Sequence, residues 1–290
     1  MRWRGRQRSS NVEDRRGARP KLAVGGGGII VVIIVLALRF FDAPPAVQQL
    51  GGQIAQQLQN DGNAAPVGAG LDDESREFVS VVLHDTETVW TQLFDQQVQG
   101  GSYVPPRLVM FSESVNSGCG MASSAMGPFY CPADRTVYLD PQFFDELARR
   151  HRSPGDFAAA YVIAHEVAHH VQNLMGYSDL ADRARRSGSE RDANRMSVRL
   201  ELQADFLAGI WAFHADRHYD ILEDGDVQEA IQAAFQIGDD TLQREARREI
   251  RPEHFTHGSS VQRTHWFRRG VESGKLKDCE LLFQLDYEQL

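Results

Sequence analysis

A chain of 290 residues, 42% hydrophobic and 24% charged, is ordinary globular material, enough for one large domain or two small ones. Its net charge of -9 is unevenly spread: residues 1–21 carry Arg2, Arg4, Arg6, Arg8, Arg15, Arg16, Arg19 and Lys21 against Glu13 and Asp14, a local +6 that leaves -15 for the remainder. That sign argues against nucleic acid as a partner of the main domain, and three cysteines without a C-x-x-C pair do not support a cysteine zinc site.

Residues 1–21 are basic and polar with no hydrophobic period, and they read as a disordered tail. Leu22 to Leu38 carries no charge, and Phe40 and Phe41 extend it past Arg39. Residues 22–41 are therefore expected to form one N-terminal transmembrane helix, an uncleaved single-pass anchor. The positive charges before it predict a cytoplasmic tail over 1–21 and an extracytoplasmic position for the chain beyond the anchor. Residues 42–70, rich in Gln, Gly, Ala, Pro and Asn, read as a flexible linker, and the folded domain is expected over 71–290.

Within that domain, Phe78, Val79, Val82, Val89, Trp90 and Leu93 recur at helical spacing over Asp72 to Gln97. Arg107 to Phe111 and Thr136 to Leu139 read as strands. Between them lies the Gly-rich segment Ser117 to Tyr130, bracketed by Cys119 and Cys131. These two cysteines either close a disulfide loop, if the domain lies outside the cytosol, or stay free thiols; Cys279 is left over. The segment serves either as an edge strand to which extended substrate adds or as a plain surface hairpin. Pro141 to Arg150 is a short helix, and Ser153-Pro154-Gly155-Asp156 breaks the chain.

Ala160 to Gly176, AYVIAHEVAHHVQNLMG, is an apolar helix carrying His165-Glu166-Val167-Ala168-His169, an H-E-x-x-H pattern. Residues four apart share a helix face, so His165 and His169 can aim both imidazoles at one Zn²⁺. Glu166 then stands beside the metal, where it can take a proton from the attacking water. Ser178 to Arg195 reads as a polar loop or exposed helix over the site. Met196 to Ala215 is the next apolar helix, with Glu201 and Asp205 on one face. A carboxylate in such a setting is costly unless paired or metal-bound. Glu201 is the candidate third ligand, and Asp205 the candidate acceptor of a ligand histidine's second ring N–H. His214 and His218 sit at the polar end of this helix, where exposure is the expectation. Asp226 to Glu249 is helical with a break at Gly238-Asp239-Asp240. His257 comes next in a Gly/Ser loop at a helix start, where a donor can steady an oxyanion; Lys275 to Leu290 carries no recognisable chemistry.

HEVAHHVQ, LELQADFLAG, GCGMASSAMGPFYCPAD, Gln236-Ile237-Gly238-Asp239-Asp240 and FTHGSSVQR together resemble the YpfJ-type family of neutral zinc metallopeptidases of bacteria, from about Leu71 to about Cys279. H-E-x-x-H followed by E-x-x-A-D is also similar, more distantly, to the gluzincin-like HtpX and CAAX prenyl endopeptidases. The resemblance implies an α+β, mainly α-helical, zincin-like domain with a small edge-strand sheet, and Zn²⁺ held by His165, His169 and Glu201. It further implies Asp205 behind the metal, Glu166 as base and His257 as a catalytic candidate. Many relatives carry Cys where this chain has Phe206, which leaves Cys279 without that partner. The implied activity is a membrane-anchored zinc metalloendopeptidase of the bacterial cell membrane acting on peptides or proteins. The alternative is a catalytically inactive zinc-binding interaction module at the membrane.

Overall fold

The computed structural model describes residues 1–17, 74–98, 100–151, 155–247 and 249–290. Residues 1–15 and the described residues from 74 onward belong to one compact unit. The expected anchor at 22–41 and linker at 42–70 lie outside the described residues, among which no helix is long and apolar enough to cross a membrane. Among the described residues the fold is mainly helical, with two small sheets.

Helix α1 (Glu74–Gln97) buries the apolar row read from the sequence, with Val79, Val82 and Trp90 fully enclosed. The main sheet has four strands: β1 (Val12–Asp14), β2 (Arg107–Met110), β5 (Phe129–Cys131) and β6 (Thr136–Leu139), in the order β1-β2-β6-β5. The pairs β1–β2 and β2–β6 are parallel, while β5 runs antiparallel to β6 with Tyr130 opposite Val137. Leu108, Val109 and Met110 of β2 are all buried, as expected of a central strand covered on both faces. A second, two-stranded sheet pairs β3 (Ser114–Ser117) with β4 (Gly120–Ser123). Of the two states open to Cys119 and Cys131, the structure has the disulfide, which ties the β3–β4 turn to the end of β5.

The first 17 residues correct the expectation of a disordered tail. Met1 and Trp3 are buried, and Trp3 meets Phe78 edge-on at 5.4 Å between ring centroids. The Met1 ammonium lies 2.6 Å from Asp156 and 3.3 Å from Asp226. Arg2 pairs with Asp220, Arg4 with Glu74, Arg6 with Asp85 at 2.6 Å, and Arg8 with Glu77. Ser9 and Asn11 both donate to Glu87, and β1 then enters the sheet with Val12 opposite Leu108. The sequence points to disorder because the stretch has too few apolar residues to bury alone. The order comes from another source, since alternate arginines of an extended segment meet carboxylates already mounted on the domain.

Helices build the rest. Helix α2 (Gln142–His151) is the short helix expected after Pro141. Helix α3 (Asp156–Leu174) carries the H-E-x-x-H residues and is buried nearly all round, so its stability rests on packing rather than on an amphipathic stripe. It ends where Gly176 takes φ +81°, with Tyr177 N–H donating to Gln172 C=O and Gly176 N–H to Asn173 C=O, a Schellman stop. Helix α4 (Ser178–Ser187) is next. Helix α5 (Glu190–Tyr219) starts earlier than the apolar pattern alone suggests, because a reciprocal Ser189–Asp192 capping box initiates it. After α6 (Asp226–Gln236) and α7 (Asp239–Glu245), helix α8 (Ser260–Ser273), also opened by a capping box, packs along α5. A short helix α9 (Leu281–Gln284) and a 3₁₀ turn (Tyr287–Gln289) follow.

The contact between α5 and α8 is backbone on backbone at Gly209 and Gly270. A Cβ on Gly209 would fall 2.3 Å from the Phe267 carbonyl oxygen, and one on Gly270 would fall 2.2 Å from that of Phe206. Gly209→Ala is therefore expected to push the helices apart and destabilise the fold by about 1–3 kcal/mol. Urea denaturation reads this as a lower midpoint; an unchanged midpoint would mean that the close approach is dispensable.

Candidate metal centre and catalytic cleft

One turn of α3 separates His165 from His169, and their rings lie perpendicular with centroids 4.8 Å apart. Across from them, Glu201 on α5 places Oε2 3.2 Å from His165 Nε2 and Oε1 3.5 Å from His169 Nε2. All three ligand atoms fall within 4.8 Å of one another. The structure thus brings together the three residues that the sequence nominates as ligands, although Glu201 lies 32 positions beyond His169 in the chain.

Each histidine presents Nε2 to this point because its Nδ1 is already engaged. His165 Nδ1 donates to Asp205 Oδ1 at 2.8 Å, and His169 Nδ1 donates to Gln172 Oε1 at 2.8 Å. Gln172 is itself fixed, donating to Leu200 C=O and Gln203, and Gln203 donates on to Cys279 C=O. Asp205 is fully buried and collects Tyr161 OH at 2.5 Å, Arg263 Nε at 2.8 Å and Arg263 Nη2 at 2.9 Å in addition to His165. Two imidazoles and one carboxylate, with the tautomers set from behind, form the donor set of a catalytic zinc site.

The electrostatics reflect this crowding. Burial opposes charge on Glu201, yet His169 and His165 hold its carboxyl well below the usual range. Burial likewise works against a charged His169, and Glu201 outweighs it, raising that imidazole to about 9. Asp205 is kept ionised against burial by Arg263 and His165.

A cleft of about 690 Å³ opens over these groups. Glu166, which is buried, lines it beside the three ligand candidates, and so does His257. His257 is half-exposed, and Asp239 holds its Nδ1 at 3.2 Å. Asp239 Oδ2 also accepts the backbone N–H groups of Thr256, His257 and Gly258, so a single carboxylate shapes the loop and orients its imidazole. On the opposite wall, Pro128 to Tyr130 bring the β5 edge to the cleft. His170, the residue after the second ligand candidate, holds that wall in place. It donates Nε2–H to Val104 C=O at 2.7 Å and accepts Tyr130 OH on Nδ1 at 2.9 Å. Burial lowers its pKa, which suits this neutral tautomer.

Sequence reasoning leaves several of these residues without a role: Tyr161, His170, Gln172, Asp239 and Arg263. Arg263 has a signal. It shares a helix face with Trp266, Phe267 and Gly270, and a guanidinium on such a face must find a buried partner. Asp239 and His170 have none, because their partners are distant in sequence. His214 donates to Gly274 C=O at 2.9 Å and is partly buried, so the expectation of simple exposure is corrected for it.

Residues 1–282 match the family described as "Putative neutral zinc metallopeptidase". The chain belongs to this family. It is 42% identical over 288 residues to "Uncharacterized protein YpfJ" of Escherichia coli K12, covering 96% of this chain and 98% of that one. It is 38% identical over 213 residues to "Uncharacterized protein Mb2605" of Mycobacterium bovis and to "Uncharacterized protein Rv2575" of Mycobacterium tuberculosis, covering 70% of this chain and 69% of each relative. No solved structure matches the chain. The family description names a zinc peptidase, and the His165, His169 and Glu201 group fits that metal.

Asp205→Asn is expected to weaken zinc binding by about 10–100-fold, since it removes the acceptor behind His165. Glu201→Gln should weaken it further by removing a ligand. Competition with a chromogenic chelator measures both; wild-type affinity in either variant would refute the assignment. A third outcome concerns pH. The hydrogen bond to Asp239 raises the His257 pKa above its usual value against burial. The stability this pair contributes is fully present below about pH 6.5 and is lost as pH rises through the raised folded-state value. Asp239→Asn should move the His257 ring titration downward in an NMR pH series; an unmoved titration would separate the two residues.

Proposed function

We propose that this protein is a zinc-dependent metallopeptidase that hydrolyses peptide bonds in the cleft between α3 and the β5 edge. The observation that carries this reading is the convergence of His165 Nε2, His169 Nε2 and Glu201 on one point, with both Nδ1 atoms held from behind and Glu166 lining the same cleft. Zinc held there supplies a Lewis acid that makes water more acidic and polarises the substrate carbonyl. Glu166 accepts the proton of the attacking water and returns it to the leaving amine. Glu166 ligates nothing in the His165–His169–Glu201 group, and a purely structural metal site needs no such residue.

His257 is the donor suited to the oxyanion. Asp239 occupies its Nδ1 and favours the charged imidazole, which leaves Nε2 to donate in the cleft when the ring is protonated. The β5 strand pairs only with β6 among the described residues, so its other edge can take an extended peptide by main-chain hydrogen bonding. The Cys119–Cys131 disulfide supports an oxidising location for the domain, outside the cytosol.

Glu166→Gln is the deciding variant. It should bind zinc as wild type does and lose chelator-sensitive cleavage of a peptide library by about 10²–10⁴-fold. Equal cleavage by variant and wild type would overturn the mechanism. A zinc-replete wild type that cleaves nothing would leave a zinc-binding interaction module instead.

A further inference from the structure

The basic N-terminal stretch is the feature that the metal centre does not absorb. As free charge beside an apolar run, it marks a cytoplasmic flank. The structure gives those charges a different task. Arg2, Arg4, Arg6 and Arg8 each face a carboxylate of the domain, drawn from the end of α5 and from α1. The Arg6–Asp85 pair is enclosed, with side-chain exposures of 16% and 1%. Burial pushes the Asp85 carboxyl up, to about 7 even with Arg6 beside it pulling it down, so without Arg6 a charged Asp85 would be costlier still. Arg6 also lies over the Tyr219 ring, 4.1 Å from its centroid.

Apolar and main-chain contacts fix the same stretch independently of charge. Trp3 is 4% exposed, and its Nε1 donates to Asp156 at the first turn of α3, the helix that bears His165 and His169. Ser9 N–H donates to Ser80 C=O, and β1 pairs with β2 along all three of its residues. The family match also begins at residue 1, so the strap falls inside the matched region.

The apolar run Leu22 to Leu38 lies in sequence between this strap and α1. A single crossing of a bilayer core roughly 30 Å thick would put its two flanks on opposite sides. Flanks that share a sheet, a buried ion pair and a buried tryptophan cannot be separated in that way. We propose that residues 1–15 and the described residues from 74 onward occupy one compartment, as a single folded body. The arginines read as a topology signal are instead the counter-charges of the acidic surface formed by α1 and the end of α5. This inference is independent of the peptidase reading, since it concerns neither the metal ligands nor the cleft.

The test uses the full chain in bacterial cells. Gln7 and Lys277 are both exposed, and neither has a role in the cleft. The native thiols are silent, since Cys119 and Cys131 are bonded to each other and Cys279 is buried. Gln7→Cys and Lys277→Cys are made separately and labelled with a membrane-impermeant maleimide in intact and in lysed cells. The intact-to-lysed labelling ratio should be the same for the two positions. If one labels in intact cells and the other only after lysis, the proposal is overturned. In the purified full-length protein, Arg6→Gln should lower the melting temperature by several degrees. If Arg6→Gln combined with Trp3→Ala also left the melting temperature unchanged, the strap would not be docked and the proposal would be overturned.

Discussion

A single carboxylate holds the centre of this protein together. Asp205 is fully buried, and a lone ionised carboxylate in that position would be costly enough to unfold the site. It is tolerated because the network spans three helices: Tyr161 and His165 on α3, and Arg263 on α8, while Asp205 itself sits on α5. Removing any one donor leaves a buried charge short of a partner, which is the expensive direction for such networks. The glycine contact between α5 and α8 serves the same junction. Only with the two backbones that close can Arg263 reach Asp205 with two nitrogens. Helix packing and metal-site geometry are therefore one problem here, because the helices that must meet to bury the core are the ones that must meet to set the tautomer of His165.

The second ligand is set by a different chain of contacts. His169 rests on Gln172, Gln172 on Leu200 and Gln203, and Gln203 on the carbonyl of Cys279. The C-terminal segment has no chemistry of its own, yet it stands three hydrogen bonds from a ligand. The two histidines thus have unlike supports, one charged and one neutral. That asymmetry also separates their environments, with Asp205 and Arg263 behind His165 and only amides behind His169.

Local periodicity makes the helices and the nominated ligands legible. His165 and His169 need only a helical repeat, and Glu201 and Asp205 declare themselves as carboxylates in an apolar helix. Asp239 and His170 stay silent because their work lies in contacts to the 256–258 loop and to Val104 and Tyr130, which no local pattern encodes. The N-terminal stretch misleads for a more instructive reason. Hydrophobic periodicity measures what a segment can bury by itself, and this one buries little. Its partners are charges displayed by helices far along the chain, as when Arg8 meets Glu77 across 69 positions. A run of alternate arginines is legible as charge and invisible as structure, since an extended strap and a solvated tail have the same composition.

The β1 strand also bears on how the molecule assembles. It is the first of the described elements in chain order, and its partner in the sheet begins at Arg107. Until then β1 has no ladder to join, so the sheet closes late, through a pairing of high contact order. Without β1, the backbone of β2 at Leu108, Val109 and Met110 would form an unpaired sheet edge. β1 thus covers the edge of β2 that β6 leaves open, and the edge strand of the main sheet is supplied by the basic stretch itself.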